Sequence, residues 1–219
     1  AGFGAHILAN MSTQAVYLQR PGEAVRLARA AVNGGQGRSA ISVMARLHTA
    51  EACAHAIAGD ARSCASALNL AEDATAKDRS DQPAWAGYFT PAHLAGTAIR
   101  CLRDLGRTKE ALSYANQALD LSEGSVRTRA LHTALIASVY AAGSAAEPDH
   151  ASKLGHDALD LAERVRSRRV TDRITELAQR LAAHRRGNPA VDQFLRRAHD
   201  LCLPSRTPVE SSNDVGRAG

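Results

Sequence analysis

The sequence has few aromatic residues, no long apolar run and no CxxC pair, and each absence excludes a class of protein. Aromatic residues make up only 4% of the 219 residues, although 45% of the chain is hydrophobic. Much of that apolar fraction is alanine, which favours closely packed helices because it has the lowest cost in a helix. No stretch approaches the roughly 18 apolar residues of a membrane-spanning helix, and the N-terminus does not resemble a signal peptide. We therefore expect a soluble, cytoplasmic protein.

The four cysteines and the glycines carry no motif of known chemistry. The four cysteines are Cys53, Cys64, Cys101 and Cys202, and no two of them form a CxxC pair. We therefore expect reduced thiols rather than a disulfide framework. Cys53 and Cys64 could be nucleophiles or redox sensors, but their apolar helical faces favour small buried hydrophobes. The sequence has no nucleophile elbow, Walker loop or dinucleotide-binding pattern. The glycines of segment 32–39 are interpreted as a flexible turn between helices.

One set of residues has the spacing of metal ligands. His48, Glu51 and His55 are three and four positions apart, which places them on one face of a helix. No further histidine or carboxylate completes the set, so structural histidines are the favoured interpretation. The sequence predicts no catalytic site, no metal site and no cofactor.

A short pattern of small or apolar residues occurs four times in the chain. In each copy the second and third residues follow the first by four and seven positions, which is one face of a helix. The sets are Ala24, Ala28, Ala31; Cys64, Leu68, Ala71; Ala111, Ala115, Ala118; and Ala151, Gly155, Ala158. Small side chains let a helix approach two neighbours closely, as in the second helix of a TPR motif. The first positions are 40, 47 and 40 residues apart, longer than the roughly 34 of a standard TPR. The prediction is an all-α, TPR-like α-α superhelix of about ten helices.

The repeats divide the chain into helix pairs. We predict second helices within 20–32, 59–71, 106–121 and 147–163, and first helices within 3–18, 39–58, 91–105 and 125–142. Gly59 and Gly106 are expected to turn the chain before a second helix, and Thr90-Pro91 is expected to cap a first helix. Segment 74–90 is predicted to be a long connection.

Three regions follow from this division. Residues 1–163 are predicted to be the helix-pair array, 164–203 two basic closing helices of the same domain, and 204–219 a disordered tail. An Asn-Pro cap at 188–189 begins the last helix. The chain begins without methionine inside a predicted helix, so we expect it to be a fragment.

The closing segment resembles the C-terminal end of a group of actinobacterial transcription regulators. In these an Xre-type helix-turn-helix domain precedes a long TPR-like region. The matching residues here are Arg169, Val170, Asp172, Arg173, Ile174, Asn188 and Pro189, and the segments 46–50 and 129–133 are also similar. Members of this group include repressors of sporulation and antibiotic production, which implies such a role for the parent protein. This chain departs from the family because it has no helix-turn-helix segment.

Two surfaces are candidates for binding. The first helices of a TPR-like array line its concave surface, the usual place for peptides; the polar candidates there are Asn10, Gln14, Arg46, His93, Arg100, Arg127 and His132. The chain has a formal net charge of +5 and a pI of about 9.3, and its largest basic patch comprises Arg164, Arg166, Arg168, Arg169, Arg173, Arg180, Arg185 and Arg186. This patch could contact nucleic-acid phosphates, but a solvated face, an acidic partner or a second subunit is favoured.

The leading functional hypothesis is an interaction and dimerisation domain of a cytoplasmic transcription regulator. It would bind a protein, peptide or small molecule as a homodimer, and would contact DNA only through a domain that is absent from this chain. A free-standing TPR-like adaptor is the alternative. An all-helical enzyme has the least support, because no paired carboxylates or nucleophile and base are found.

Overall fold

The structure, a computed structural model, describes residues 2–77, 83–143 and 145–202. These residues form eleven α-helices and contain no strand, which confirms the all-α prediction. The helices are α1 (Gly2–Tyr17), α2 (Pro21–Gly35), α3 (Ile41–Ile57), α4 (Ala61–Ala76), α5 (Pro91–Asp104), α6 (Thr108–Ser113), α7 (Ala115–Leu119), α8 (Val126–Tyr140), α9 (Pro148–Glu163), α10 (Arg168–Leu181) and α11 (Pro189–Cys202). Within the described ranges, no helix is both long and apolar enough to cross a membrane. The tail predicted at 204–219 lies outside the described residues.

Consecutive helices pack as pairs. Helix α1 packs on α2, α3 on α4, α5 on α6 and α7, α8 on α9, and α10 on α11. The first members also contact one another in sequence, from α1 through α3, α5 and α8 to α10. The segment 164–203 thus contains α10 and α11, which form a fifth pair on the same stack.

The small residues of the four repeats lie between the packed helices. Ala24, Ala28, Ala31, Ala111, Ala118, Ala151 and Ala158 are all completely buried, and Cys64 and Ala71 are at most 1% exposed. Gly155 is also buried: a Cβ atom there would lie 2.6 Å from Cε2 of Phe194. Because these side chains are short, each second helix approaches its neighbours closely, and the burial of many small groups stabilises the stack.

Proline and glycine mark the helix boundaries where the sequence predicts them. Four helices, α2, α5, α9 and α11, begin at a proline, where the missing N–H group costs nothing. Gly59 and Gly106 both have φ of +74°, a conformation that favours glycine. Asn188 caps α11, because its Oδ1 accepts a hydrogen bond of 3.0 Å from the Val191 N–H group.

Several details of the prediction are wrong. Segment 32–39 is not a flexible turn throughout, because α2 continues to Gly35. A Cβ at Gly35 would lie 2.5 Å from Cδ1 of Leu47, so glycine allows α2 and α3 to touch there. Thr90 does stand at the N-cap of α5 with Pro91 after it, as predicted, but its hydroxyl makes no capping bond and lies 2.9 Å from Nδ1 of His93 instead.

Two further segments also differ from the prediction. The helix expected within 106–121 is interrupted at Tyr114, whose hydroxyl donates a hydrogen bond of 3.0 Å to Glu72 on α4. The predicted connection 74–90 is shorter, because α4 extends to Ala76 and a 3-10 turn forms at Ala84–Ala86.

Candidate functional site: an arginine cluster on the inner face

The row of first helices curves so that its two ends meet. The Arg169 guanidinium, at the start of α10, donates a hydrogen bond of 2.8 Å to the Tyr17 hydroxyl at the end of α1. These residues are 152 positions apart in the chain. Since the first helices contact one another in order and their ends converge, they form the inner, concave layer of the array.

Three arginines surround the Tyr17 ring. The guanidinium carbon of Arg100 lies 4.6 Å from the ring centroid, that of Arg169 lies 5.6 Å away and that of Arg173 lies 5.8 Å away. At these distances each cation is attracted by the electron-rich face of the ring. Helices α1, α5 and α10 thus present one aromatic ring and three cations at a single point of the groove.

Two carboxylates hold the neighbouring guanidinium groups. Glu176 pairs with Arg103 at 2.9 Å, with Arg173 at 2.6 Å and with Arg180 at 3.2 Å. Asp104 pairs with Arg103 at 2.7 Å and with Arg100 at 3.9 Å. We call these five arginines, Arg100, Arg103, Arg169, Arg173 and Arg180, the arginine cluster.

The arginine cluster carries more positive than negative charge. Five guanidinium groups face two carboxylates, which leaves an excess of three positive charges, and Arg169 has no carboxylate partner among the described residues. This point of the inner face therefore carries a local excess of positive charge, in a chain whose formal net charge is +5.

The excess charge shifts the pKa values of acidic groups in the groove. Burial raises the pKa of the Tyr17 phenol, but Arg100, Arg169 and Arg173 together outweigh burial and lower it. Burial likewise raises the pKa of Glu176, and Arg103, Arg173 and Arg180 outweigh it, so this pKa is also lowered. The lowered pKa values of both groups indicate that this site stabilises negative charge.

The structure brings together some of the predicted concave residues. Arg46 donates hydrogen bonds to Asn10 at 3.3 Å and to Thr13 at 3.5 Å, on the side of the groove formed by α1 and α3. Arg100 belongs to the arginine cluster, and Gln14 is exposed on α1. Arg127 is exposed at the start of α8 and donates to the Ser167 hydroxyl at 3.2 Å.

The two predicted histidines lie elsewhere, at the α5 and α8 interface. His132 is only 9% exposed, and its Nδ1 lies 2.7 Å from the Ala118 carbonyl oxygen, to which it donates a hydrogen bond. The His93 and His132 rings are 6.1 Å apart. Burial lowers the pKa of both, so they are neutral at pH 7. His132 therefore packs between helices, whereas His93 is partly exposed.

The predicted basic patch divides into separate parts. Arg169, Arg173 and Arg180 face the groove and belong to the arginine cluster. The others are exposed, and two of them pair with acids on their own side of the molecule: Arg168 with Asp172 at 2.9 Å and Arg185 with Asp192 at 2.7 Å. Arg164, Arg166 and Arg186 form no such pair with any residue that the structure describes.

The three residues with the spacing of metal ligands, His48, Glu51 and His55, do not come together at one point. His48 lies 3.4 Å from Glu51, but His55 is 4% exposed and lies 3.6 Å from Asp60 instead. In the described ranges, no three His, Cys, Asp or Glu side chains are placed to hold a metal ion.

Sequence reasoning missed Tyr17, Arg103, Asp104 and Glu176. Their only signal is position: Tyr17 ends a first helix, while Arg103 and Asp104 end another and follow the predicted Arg100. That arginines of the closing segment reach the same point could not be predicted, because it depends on the summed curvature of four helix pairs.

The geometry defines a TPR-like helical-repeat protein, a class whose curvature creates extended concave surfaces. It is similar to the crystal structure of nearly identical TPR-like repeats of a kinesin light chain from Podosopora anserina, with a TM-score of 0.59 and 16% identity over 92% of this chain and 96% of that one. A single-residue variant of that protein matches with the same score and identity over 90% and 93%. No protein-family model and no curated protein matches this chain. At this identity the likeness concerns the fold alone.

Proposed function

We propose that this chain is an interaction module that binds an acidic segment of a partner protein in its concave groove. The observation that carries the proposal is the arginine cluster, where five guanidinium groups face two carboxylates. Carboxylates of a partner would make charge-assisted hydrogen bonds there, which are about twice as strong as neutral ones. Tyr17 would pack against the peptide with its ring.

The exposure of the arginines favours a slender ligand. The side chains of Arg100 and Arg173 are 14% and 16% exposed, so they are recessed below the surface of the groove, whereas Arg180 is 36% exposed and Arg169 is exposed. Aspartate and glutamate side chains of an extended peptide can reach such groups. Phosphates of a nucleic-acid duplex are fixed on a stiff helix that cannot follow a narrow groove.

The proposal is tested by peptide binding. A fluorescein-labelled glutamate-rich peptide is titrated with the purified chain, and fluorescence anisotropy is measured at several salt concentrations. We expect binding that weakens as salt rises. Arg169→Gln should weaken it about tenfold or more, because one charge-assisted contact contributes roughly 1.5–3 kcal/mol.

The neighbouring residue supplies the control. Arg168 is on the same helix, its side chain is 89% exposed, and it pairs with Asp172 outside the cluster. Arg168→Gln removes the same charge from the chain and should change affinity less than twofold. If both variants lost the same affinity, the peptide would be attracted only by the net charge of the chain and not by the cluster. Stronger binding to a DNA duplex than to the peptide would favour a nucleic-acid surface and contradict the proposal.

We also propose that the chain forms a homodimer through the free side of α1. This helix contains no Asp, Glu, Lys or Arg, and its outer face exposes Phe3, Ile7 and Met11, which are 62%, 46% and 46% exposed. The other end of the stack is polar, since α11 exposes Gln193, Arg196, His199 and Asp200. An uncharged apolar face can pack on a second copy of itself without like-charge repulsion.

Light scattering on size-exclusion fractions tests this second proposal. We expect a mass that rises towards the dimer with concentration, and Ile7→Glu should restore the monomer. Leu70 on α4 is 47% exposed, so Leu70→Glu is the matched control and should leave the dimer intact. A wild-type chain that stays monomeric at high concentration would refute the dimer.

The cellular context proposed for this module is a cytoplasmic transcription regulator. The support is the sequence resemblance of the α10 and α11 segment, including Arg169, Asp172, Arg173 and the Asn188-Pro189 cap. Binding of an acidic partner would then bias a DNA-binding domain elsewhere in the same polypeptide. The reading frame upstream of Ala1 tests the proposal. A helix-turn-helix encoded there would support it, and its absence would favour the free-standing adaptor.

A further inference from the structure

Two thiols from neighbouring helix pairs face each other inside the array. Cys53 is on α3 and Cys101 is on α5, and their sulfur atoms are 3.7 Å apart, with the Cys101 thiol donating to Cys53. Cys64 on α4 packs in the same cluster, among Ala52, Ala56, Ala67 and Ala98. The three are free cysteines. The contact between the thiols needs no partner protein, so the pair can be tested without the proposed peptide.

The two thiols have different surroundings. Cys53 is partly exposed, and Arg100 and Arg46 lie close enough to favour its thiolate. The hydrogen bond from Cys101 lowers the pKa of Cys53 most; burial opposes it, the two arginines add to it, and the pKa reaches about 6. Cys101 is completely buried, and its pKa is raised well above the usual range by its hydrogen bonds to Cys53 and Cys64 and by burial. Cys53 is thus suited to attack an oxidant, and Cys101 is placed to resolve the product because its sulfur lies only 3.7 Å away.

We propose that Cys53 and Cys101 are a redox pair that a hydroperoxide oxidises to a disulfide joining α3 to α5. The Cys53 thiolate attacks one peroxide oxygen, the O–O bond breaks, and Cys53 becomes a sulfenic acid while hydroxide leaves. The Cys101 sulfur then attacks the sulfenic sulfur. The S–O bond breaks, and water leaves with the proton of the Cys101 thiol. In sum, two thiols lose two electrons and two protons, and hydrogen peroxide becomes two molecules of water.

The surrounding packing permits the sulfur atoms to close. A disulfide needs a sulfur–sulfur distance of about 2.05 Å, so each sulfur must move by less than about 1 Å from the present 3.7 Å. The cluster around the two sulfur atoms contains four alanines, Ala52, Ala56, Ala67 and Ala98, together with Leu68, Leu105 and Tyr114. The bond would fix α3 of the second pair to α5 of the third, next to Arg100 of the arginine cluster.

Non-reducing peptide mapping by mass spectrometry tests the pair. The full chain is treated with hydrogen peroxide at pH 7, alkylated and digested. We expect a cross-linked peptide containing Cys53 and Cys101, a thermal midpoint above that of the reduced chain, and reversal of both by dithiothreitol. A cross-link to Cys64 instead, or sulfinic acid on Cys53 without any cross-link, would overturn the assignment.

Single variants separate the roles of the thiols. In Cys101→Ser the sulfenic acid on Cys53 should accumulate and be captured by dimedone, whereas in Cys53→Ser Cys101 should stay unmodified. Cys64→Ser is the matched control, because it alters the same cluster and should still form the cross-link. Circular dichroism checks that each variant is helical. If the wild-type cross-link forms as fast in urea as in the folded chain, the fold does not create the pair and the proposal fails.

Discussion

Replacing Gly96 by alanine probes how closely the first helices approach each other. Gly96 is buried in the middle of α5, and a Cβ atom there would lie 2.3 Å from Nε2, 2.7 Å from Cε1 and 2.8 Å from Cδ2 of His132 on α8. Real Cβ atoms do not approach other atoms so closely. The His132 ring would therefore have to leave its place.

The expected cost combines three effects. Alanine is favoured over glycine inside a helix by roughly 1 kcal/mol. Forcing a methyl group into a packed site costs roughly 1–3 kcal/mol. Displacing the ring also breaks the 2.7 Å hydrogen bond to Ala118, and an unpaired buried carbonyl costs about 1–3 kcal/mol. Gly96→Ala should therefore lower the free energy of unfolding by about 1–5 kcal/mol, since the two costs exceed the gain.

Urea unfolding followed by circular dichroism measures this loss, and a double variant assigns its cause. His132→Ala removes the ring that the new methyl group would meet. The double variant should therefore lose less stability than the sum of the two single losses, by at least about 1 kcal/mol. Gly22→Ala is the control, because nothing lies within 4 Å of its Cβ position in α2. It should be neutral or slightly stabilising.

Two results would contradict the close approach of α5 and α8. Gly96→Ala could behave like Gly22→Ala, or the losses of Gly96→Ala and His132→Ala could simply add. Either result would mean that His132 is not held between α5 and α8, and it would return His132 to the set of exposed ligand-binding candidates.

Three further predictions concern the other end of the array. Gly155→Ala should destabilise the chain by about 1–2 kcal/mol, because its Cβ would lie 2.6 Å from the fully buried Phe194 ring; urea unfolding measures it, and a neutral result would contradict the packing. Glu176→Gln should cost about 1–3 kcal/mol, since Arg103, 4% exposed, loses one of its two carboxylates; a loss below that of Arg168→Gln would count against the cluster. The folded pKa of Glu176 is lowered, so its stabilisation is present above the unfolded value of about 4.3 and is lost as pH falls through the folded value. Wild type and Glu176→Gln should therefore converge in stability at low pH, and a constant difference would be inconsistent with this linkage.

Local sequence patterns were enough to predict the helices, their pairing and the layer that packs. Small residues four and seven positions apart lie on one face of a helix, so they are buried together when that face packs. Ala24, Ala28 and Ala31 are all buried in this way. Prolines and glycines set the boundaries because they act on the local backbone. Where the local pattern is ambiguous the prediction fails: Gly35 is expected in a turn, but it is the last residue of α2, where the lack of a Cβ leaves room for Leu47.

The set of distant residues that share the groove depends on the tertiary fold. Arg100 was a predicted candidate, but its neighbours Tyr17 and Arg169 meet through the small rotation of each helix pair summed along the array. The contact between Cys53 and Cys101 depends in the same way on how α3 lies against α5. Local periodicity fixes which face of a helix is buried, whereas the angle between successive pairs arises from the packing of all their side chains, and no short stretch of sequence contains it.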